Sequence, residues 1–287
     1  MNQNPEIPNN QINKIGQIGL GSYAFRYAAR KKENPMDAIT FIEETARLGL
    51  KRALICENLN YCDRGDDYFQ RLAETAARLG VTVDVGMRGC SAISIEKHIQ
   101  IARILGAKNI RTVPGEYSET LPKKCAEIKN KALGSIKSVL DKLEKYDLYF
   151  GLENHFDLTA ADLADLVTRI NSSHVGFIYD TTNCIGLIEK PLDVLQLMKN
   201  KLFSVHLKDY ECYKTDGGYF FAGVDLGKGS LDIHAVIQTV LASAPAASFI
   251  VEYAINPPPG LGEEELLAWE RERAAVNIAA MTKAAGL

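Results

Sequence analysis

None of the six cysteines, at 56, 62, 90, 125, 184 and 212, stands in a C-x-x-C pair, and together they make no compact framework. That excludes a disulfide-stapled fold and argues against a cysteine-ligated structural zinc. Reduced, mostly buried thiols are expected instead. No apolar run approaches the roughly 18 residues that a membrane-spanning helix needs. No long basic tract occurs and the net charge is −3, so neither nucleic acid nor an anionic membrane surface is an expected partner. No G-x-G-x-x-G follows the first apolar run, which counts against a dinucleotide-binding open sheet. The opening residues, MNQNPEIPNN, lack the charged-then-apolar pattern of an export signal, and a cytoplasmic location is the expectation.

What is present fits one soluble domain. Hydrophobic residues make up 46 % and charged residues 24 % of 287, enough for a sizeable core. Residues 1–14, rich in Asn and Pro, read as a loose arm, and 15–287 as the folded domain. Eight short apolar runs recur, at 16–20, 52–56, 81–85, 108–113, 148–153, 175–180, 202–207 and 248–253. They are near-continuous rather than alternating, as for parallel strands covered by helices.

Helical stretches lie between these runs. Pro35-Met-Asp opens one and Ser94-Ile-Glu another. Thr159 reads as an N-cap with Asp162 three residues on, and Pro191 suits a first turn. Leu-Gly recurs at 48–49, 79–80 and 105–106, just before strands, as a helix C-cap does. Eight strand–helix units predict a single (β/α)8 TIM barrel, with its active site at the C-terminal strand ends.

Four strand ends then stand out: Glu153, Asp180, His206 and Glu252. Three carboxylates and an imidazole suit a hard or borderline divalent cation: Mn²⁺, Mg²⁺, Co²⁺ or Zn²⁺. A metal would relieve the repulsion among the carboxylates and stabilise an enolate. Glu153 and Glu252, on strands separated by two others, are the candidate proton-transfer pair. Glu57, Asn58, Arg88, His155, Asn183, Lys208 and Asp209 are the candidate substrate contacts. Cys184 is near enough to line the site. Residues 210–226, rich in Tyr and Phe, form an insertion suited to a lid, a substrate wall or an oligomer contact. Gly227-Lys228-Gly229 reads as a turn before a helix and not as a phosphate loop.

The segments G-L-E-N-H (151–155), Y-D-T-T-N (179–183), H-L-K-D (206–209) and G-V-D-L-G-K-G-S-L-D (223–232), with G-S-Y-A-F-R (21–26), C-E-N-L (56–59) and V-G-M-R-G (85–89), resemble the xylose isomerase-like sugar phosphate isomerase/epimerase family. The resemblance spans about 15–260 and is specific in the order and spacing of its motifs. It implies a (β/α)8 barrel with one divalent metal on Glu153, Asp180, His206 and Glu252. It also implies proton transfer by Glu153 and Glu252. Epimerases of the tagatose 3-epimerase type carry His where this chain has Asn183, which weakens the reading as a plain ketohexose epimerase. Relatives of the endonuclease IV type need many histidines, and this chain has five.

The expected activity is that of a metal-dependent isomerase or epimerase on a sugar or sugar derivative. The alternative is a dehydratase or lyase on a keto-sugar or cyclitol. The expected partner is a small carbohydrate, with a homo-oligomer, dimer or tetramer, also in view.

Overall fold

A computed structural model describes residues 18–115 and 125–286. Eight parallel strands close into a barrel: β1 (Ile18–Gly21), β2 (Arg52–Ile55), β3 (Thr82–Arg88), β4 (Asn109–Val113), β5 (Tyr149–Glu153), β6 (Val175–Asp180), β7 (Leu202–Leu207) and β10 (Ser248–Val251). Around the ring the order is β1-β10-β7-β6-β5-β4-β3-β2. The predicted barrel is therefore the observed one. The arm at 1–14 and the start of the first predicted strand lie outside the described residues.

Helices cover the strands: α1 (Ala38–Arg47), α2 (Asp66–Leu79), α3 (Ala92–Leu105), α4 (Cys125–Lys145), α5 (Ala160–Ile170), α6 (Pro191–Met198), α7 (Ile233–Ser243) and α8 (Glu263–Ala284). Their limits follow local chemistry. The side chains of Asp37, Ser91, Thr159 and Asp232 each accept a backbone N–H at a helix start, relieving donors that have no partner within the helix. Gly80 and Gly106 close α2 and α3 with φ of 65° and 64°, a left-handed conformation that costs other residues more. The apolar sides of strands and helices merge into one continuous core.

The ring order brings the ends of β5, β6, β7 and β10 side by side in one arc. Asp180 pairs in register with His206, and His206 with Ile250. The ends of β1 to β4 complete the other half of the rim. The predicted insertion is an antiparallel hairpin, β8 (Asp209–Thr215) and β9 (Gly218–Val224), turning at Asp216-Gly217. Its aromatic residues Tyr213, Tyr219, Phe220 and Phe221 are exposed.

Candidate active site

The four strand-end residues predicted as ligands all lie buried at the C-terminal end of the barrel. Glu153, Asp180 and His206 each offer a ligand atom within 4.8 Å of the others. Glu252 stands beside this set. Its Oε1 lies 3.8 Å from His206 Nδ1 and its Oε2 lies 3.1 Å from Lys208 Nζ. Lys208 Nζ also lies 2.6 Å from Asp180 Oδ2, so one ammonium bridges two of the four predicted ligands.

Local bonds aim each carboxylate. Asp180 Oδ1 accepts the backbone N–H groups of Thr182 and Asn183, which leaves Oδ2 to face the site. Asn154 ties β5 to β6 reciprocally: its Nδ2 donates to Asp180 O and its Oδ1 accepts from Asp180 N, both at 2.8 Å. Thr181 ties β6 to β7, its hydroxyl donating to Lys208 O and accepting from Lys208 N. Glycine at position 21 leaves room for Glu252: a Cβ there would stand 2.3 Å from its Oε1, so the carboxylate would have to shift.

Arg111 on β4 is the main addition to the predicted site. Its guanidinium donates to Glu153 Oε2 and to Met87 O and lies 3.8 Å from Glu57 Oε2. Burial pushes the Glu153 carboxyl up, but Arg111 and then His206 outweigh it and hold the group well below the usual carboxylate range. For His206, burial favours the neutral ring, while Glu153 and Glu252 raise its pKa on balance. Burial lowers the His155 pKa to about 4, assisted by Arg111, Arg88 and Lys208, so its imidazole is neutral near pH 7. Burial also pushes the Cys184 thiol up to about 12; it is fully buried in the core and an inert group.

The predicted substrate contacts divide. Glu57, Arg88, His155 and Lys208 gather around the mouth. Glu57 Oε1 accepts from Tyr23 and from Arg88 Nε, so Arg88 belongs to the rim and not to a free loop. Three others have structural partners instead. Asn58 is engaged by Ser22, accepting from its hydroxyl and donating to its carbonyl. Asn183, 8 % exposed, donates to Glu153 Oε1 at 3.1 Å and to Asn154 O at 3.3 Å, so it orients a carboxylate. Asp209 accepts backbone N–H groups from Tyr210, Gly227, Gly229 and Leu231. It thereby staples the turn at 227–229 under the hairpin, where four donors compete for its two oxygens and none remains for a substrate.

Both buried ring nitrogens of His206 have no hydrogen bond, and Asp180 Oδ2 is met by the Lys208 ammonium. Buried polar groups normally find partners. Glu153, Asp180 and His206 together bring oxygen and nitrogen atoms within 4.8 Å of one another, and a divalent cation suits that set. A separate cavity of about 640 Å³ opens at the other end of the barrel, lined by Arg52, Asn109, Tyr149, Lys201 and Phe203 among others. It contains none of the four strand-end ligands, so size does not locate the chemistry.

Comparison with known proteins agrees with the fold. The family model described as Xylose isomerase-like TIM barrel matches residues 63–273. A curated relative, 3-oxo-isoapionate decarboxylase of Pectobacterium atrosepticum, is 28 % identical over 239 residues, covering 82 % of this chain and 85 % of the relative. Among solved structures, an L-ribulose 3-epimerase superposes with a TM-score of 0.70 at 16 % identity, covering 94 % of this chain and 95 % of the other. A xylose isomerase-like TIM barrel protein from Mycobacterium smegmatis in complex with magnesium gives 0.68 at 15 %, covering 95 % and 99 %. At those identities the structural likeness shows the fold alone.

Proposed function

The chain belongs to the xylose isomerase-like TIM barrel family, and on that premise we propose a divalent-metal-dependent enzyme that forms an enolate of a small sugar-like carbonyl compound. The family's activities, as relatives and neighbours bear them, are isomerisation, epimerisation, dehydration and decarboxylation of such substrates. The observation that carries the proposal is the convergence of Glu153, Asp180 and His206, with both buried ring nitrogens of His206 lacking a hydrogen bond.

Glu153, Asp180 and His206 would hold the metal, with Glu252 able to join them once Lys208 yields. Bound there, a divalent ion would supply Lewis-acid stabilisation of the substrate's developing enolate oxygen. The protein's own residues set the rest. Burial at the barrel mouth keeps water from competing. Asn183 and Arg111 hold Glu153 as a fixed anion. A carboxylate whose pKa lies well below its usual range is a weak proton acceptor. Glu252, with one oxygen toward His206 and the other toward Lys208, is the remaining base. On this reading Glu252 carries the base role within the expected pair.

A single base suits isomerisation, in which the proton leaves one carbon and returns to its neighbour on the same face. It does not suit inversion of one carbon, which needs an acid on the opposite face. The second reading is cleavage of a carbon–carbon or carbon–oxygen bond beside the carbonyl. There the bonding electrons enter the enolate and one proton completes the product. The decarboxylase relative supports this ending. Sugar-like carbonyl compounds incubated with Mn²⁺ in D₂O test the proposal. Deuterium should enter the carbon next to the carbonyl with the wild type and be lost with Glu252→Gln. Exchange that survives Glu252→Gln but not Glu153→Gln would return the base role to Glu153.

A further inference from the structure

Lys208 holds an arrangement that the metal reading cannot leave untouched. Its ammonium lies 2.6 Å from Asp180 Oδ2 and 3.1 Å from Glu252 Oε2. Those oxygens belong to two of the four strand-end ligands. A divalent ion drawing on them would face the ammonium at close range, and like charges in a buried site repel strongly. The backbone of Lys208 cannot retreat, because its N–H and C=O are both fixed to the Thr181 hydroxyl. The four-carbon stem can swing.

Where the ammonium goes is limited by what surrounds it. Its side chain is 15 % exposed, so it opens toward the barrel mouth while most of it stays out of water. The other carboxylates nearby have cationic or donor partners: Glu153 has Arg111 and Asn183, and Glu57 has Tyr23 and Arg88 on Oε1 and Arg111 3.8 Å from Oε2. Arg111 itself is cationic. A largely buried ammonium without an anionic partner is costly.

Building on the proposed metal reading, we infer that Lys208 trades Asp180 and Glu252 for a carboxylate on the substrate when metal binds, so the enzyme acts on sugar acids rather than on neutral sugars. Lys208 is then a specificity residue, and metal precedes substrate. The exchange makes and breaks only ion pairs.

D-Gluconate and D-glucitol differ in carrying a terminal carboxylate or a terminal hydroxymethyl on the same polyol chain. Calorimetric titration of each into the full chain, with and without Mn²⁺, isolates the carboxylate. A charge-assisted contact predicts that the Mn²⁺-loaded protein prefers gluconate by roughly tenfold or more. The preference should vanish in Lys208→Met and without Mn²⁺, and should persist in Lys208→Arg, which also controls for folding. A gluconate preference of equal size in Lys208→Met, or in the metal-free protein, would overturn the inference. Mn²⁺ uptake followed by paramagnetic resonance separates the two proposals. Uptake without a gluconate preference overturns this one alone; no uptake removes the metal reading and this inference with it.

Discussion

The guanidinium of Arg111 donates to the carboxylate of Glu153 across the seam between β4 and β5, with both side chains nearly sealed from solvent. The contact holds Glu153 as an anion in a fixed place. Removing the cation alone strands that charge. Arg111→Met should therefore lower stability by about 3–5 kcal/mol, read from urea unfolding. Adding Glu153→Gln should recover part of the loss, since the two residues share one interaction. Strictly additive losses would show that the pair is not coupled.

Gly21 is the test of close packing at the fourth ligand. Its backbone, at φ −89° and ψ 141°, accepts any residue, so alanine changes only the space beside Glu252. With the new Cβ 2.3 Å from Oε1, Glu252 must shift. Gly21→Ala should weaken Mn²⁺ binding by roughly tenfold while the circular dichroism spectrum stays that of the wild type. Unchanged Mn²⁺ affinity would exclude Glu252 from the metal's ligands.

Asn154 and the Asp180 backbone satisfy one another. Asn154→Leu leaves a buried N–H and a buried C=O without partners, at a cost of about 1–3 kcal/mol each. Thermal unfolding should show the loss, and metal affinity should fall with it because Asp180 no longer sits at a fixed place.

Asp209 gathers four backbone donors on one carboxylate. Asn offers only one oxygen. Asp209→Asn should destabilise the chain by about 2–4 kcal/mol and speed amide exchange at Gly227, Gly229 and Leu231. Exchange that accelerates elsewhere but not there would refute the stapling role.

Glu270 is buried and accepts from Tyr27 N and Ala28 N, yet burial raises its pKa from 4.5 to about 7. A carboxyl with a raised folded pKa binds its proton more tightly in the native state than in the unfolded one. Its favourable contribution is thus complete below about pH 4.5 and is lost as pH rises to about 7. The amount is on the order of 3 kcal/mol. Stability measured from pH 4.5 to 8 should fall across that window in the wild type, and Glu270→Gln should flatten this part of the curve. A wild-type and variant difference that does not change with pH would contradict the assignment.

Most of the barrel was legible because it is encoded locally. The eight near-continuous runs, the Thr159 cap and the glycines at 80 and 106 each depend on residues within one turn or strand. The hairpin was also legible: Asp216-Gly217 between two Tyr- and Phe-bearing runs is a hairpin signal. Its aromatics by themselves point only to an insertion. Arg111 left a signal too, as a charged residue inside the run N-I-R-T-V. What no local pattern reveals is its partner, 42 residues away. Nor does local pattern show that Asn183 and Asp209 turn toward the protein. A strand end brings a polar residue to the rim, but which way it points is decided by donors on neighbouring strands.

The ring order places every predicted metal ligand on one semicircle, β5, β6, β7 and β10, and leaves Tyr23, Glu57, Arg88 and Arg111 on the other. The two halves are separately encoded. The stitches of Asn154 and Thr181 lie wholly within the first, so loops after β1 to β4 can change without loosening it. The two halves meet where Arg111 holds Glu153 and where Gly21 leaves room for Glu252, so a change on one half reaches the other through those two contacts.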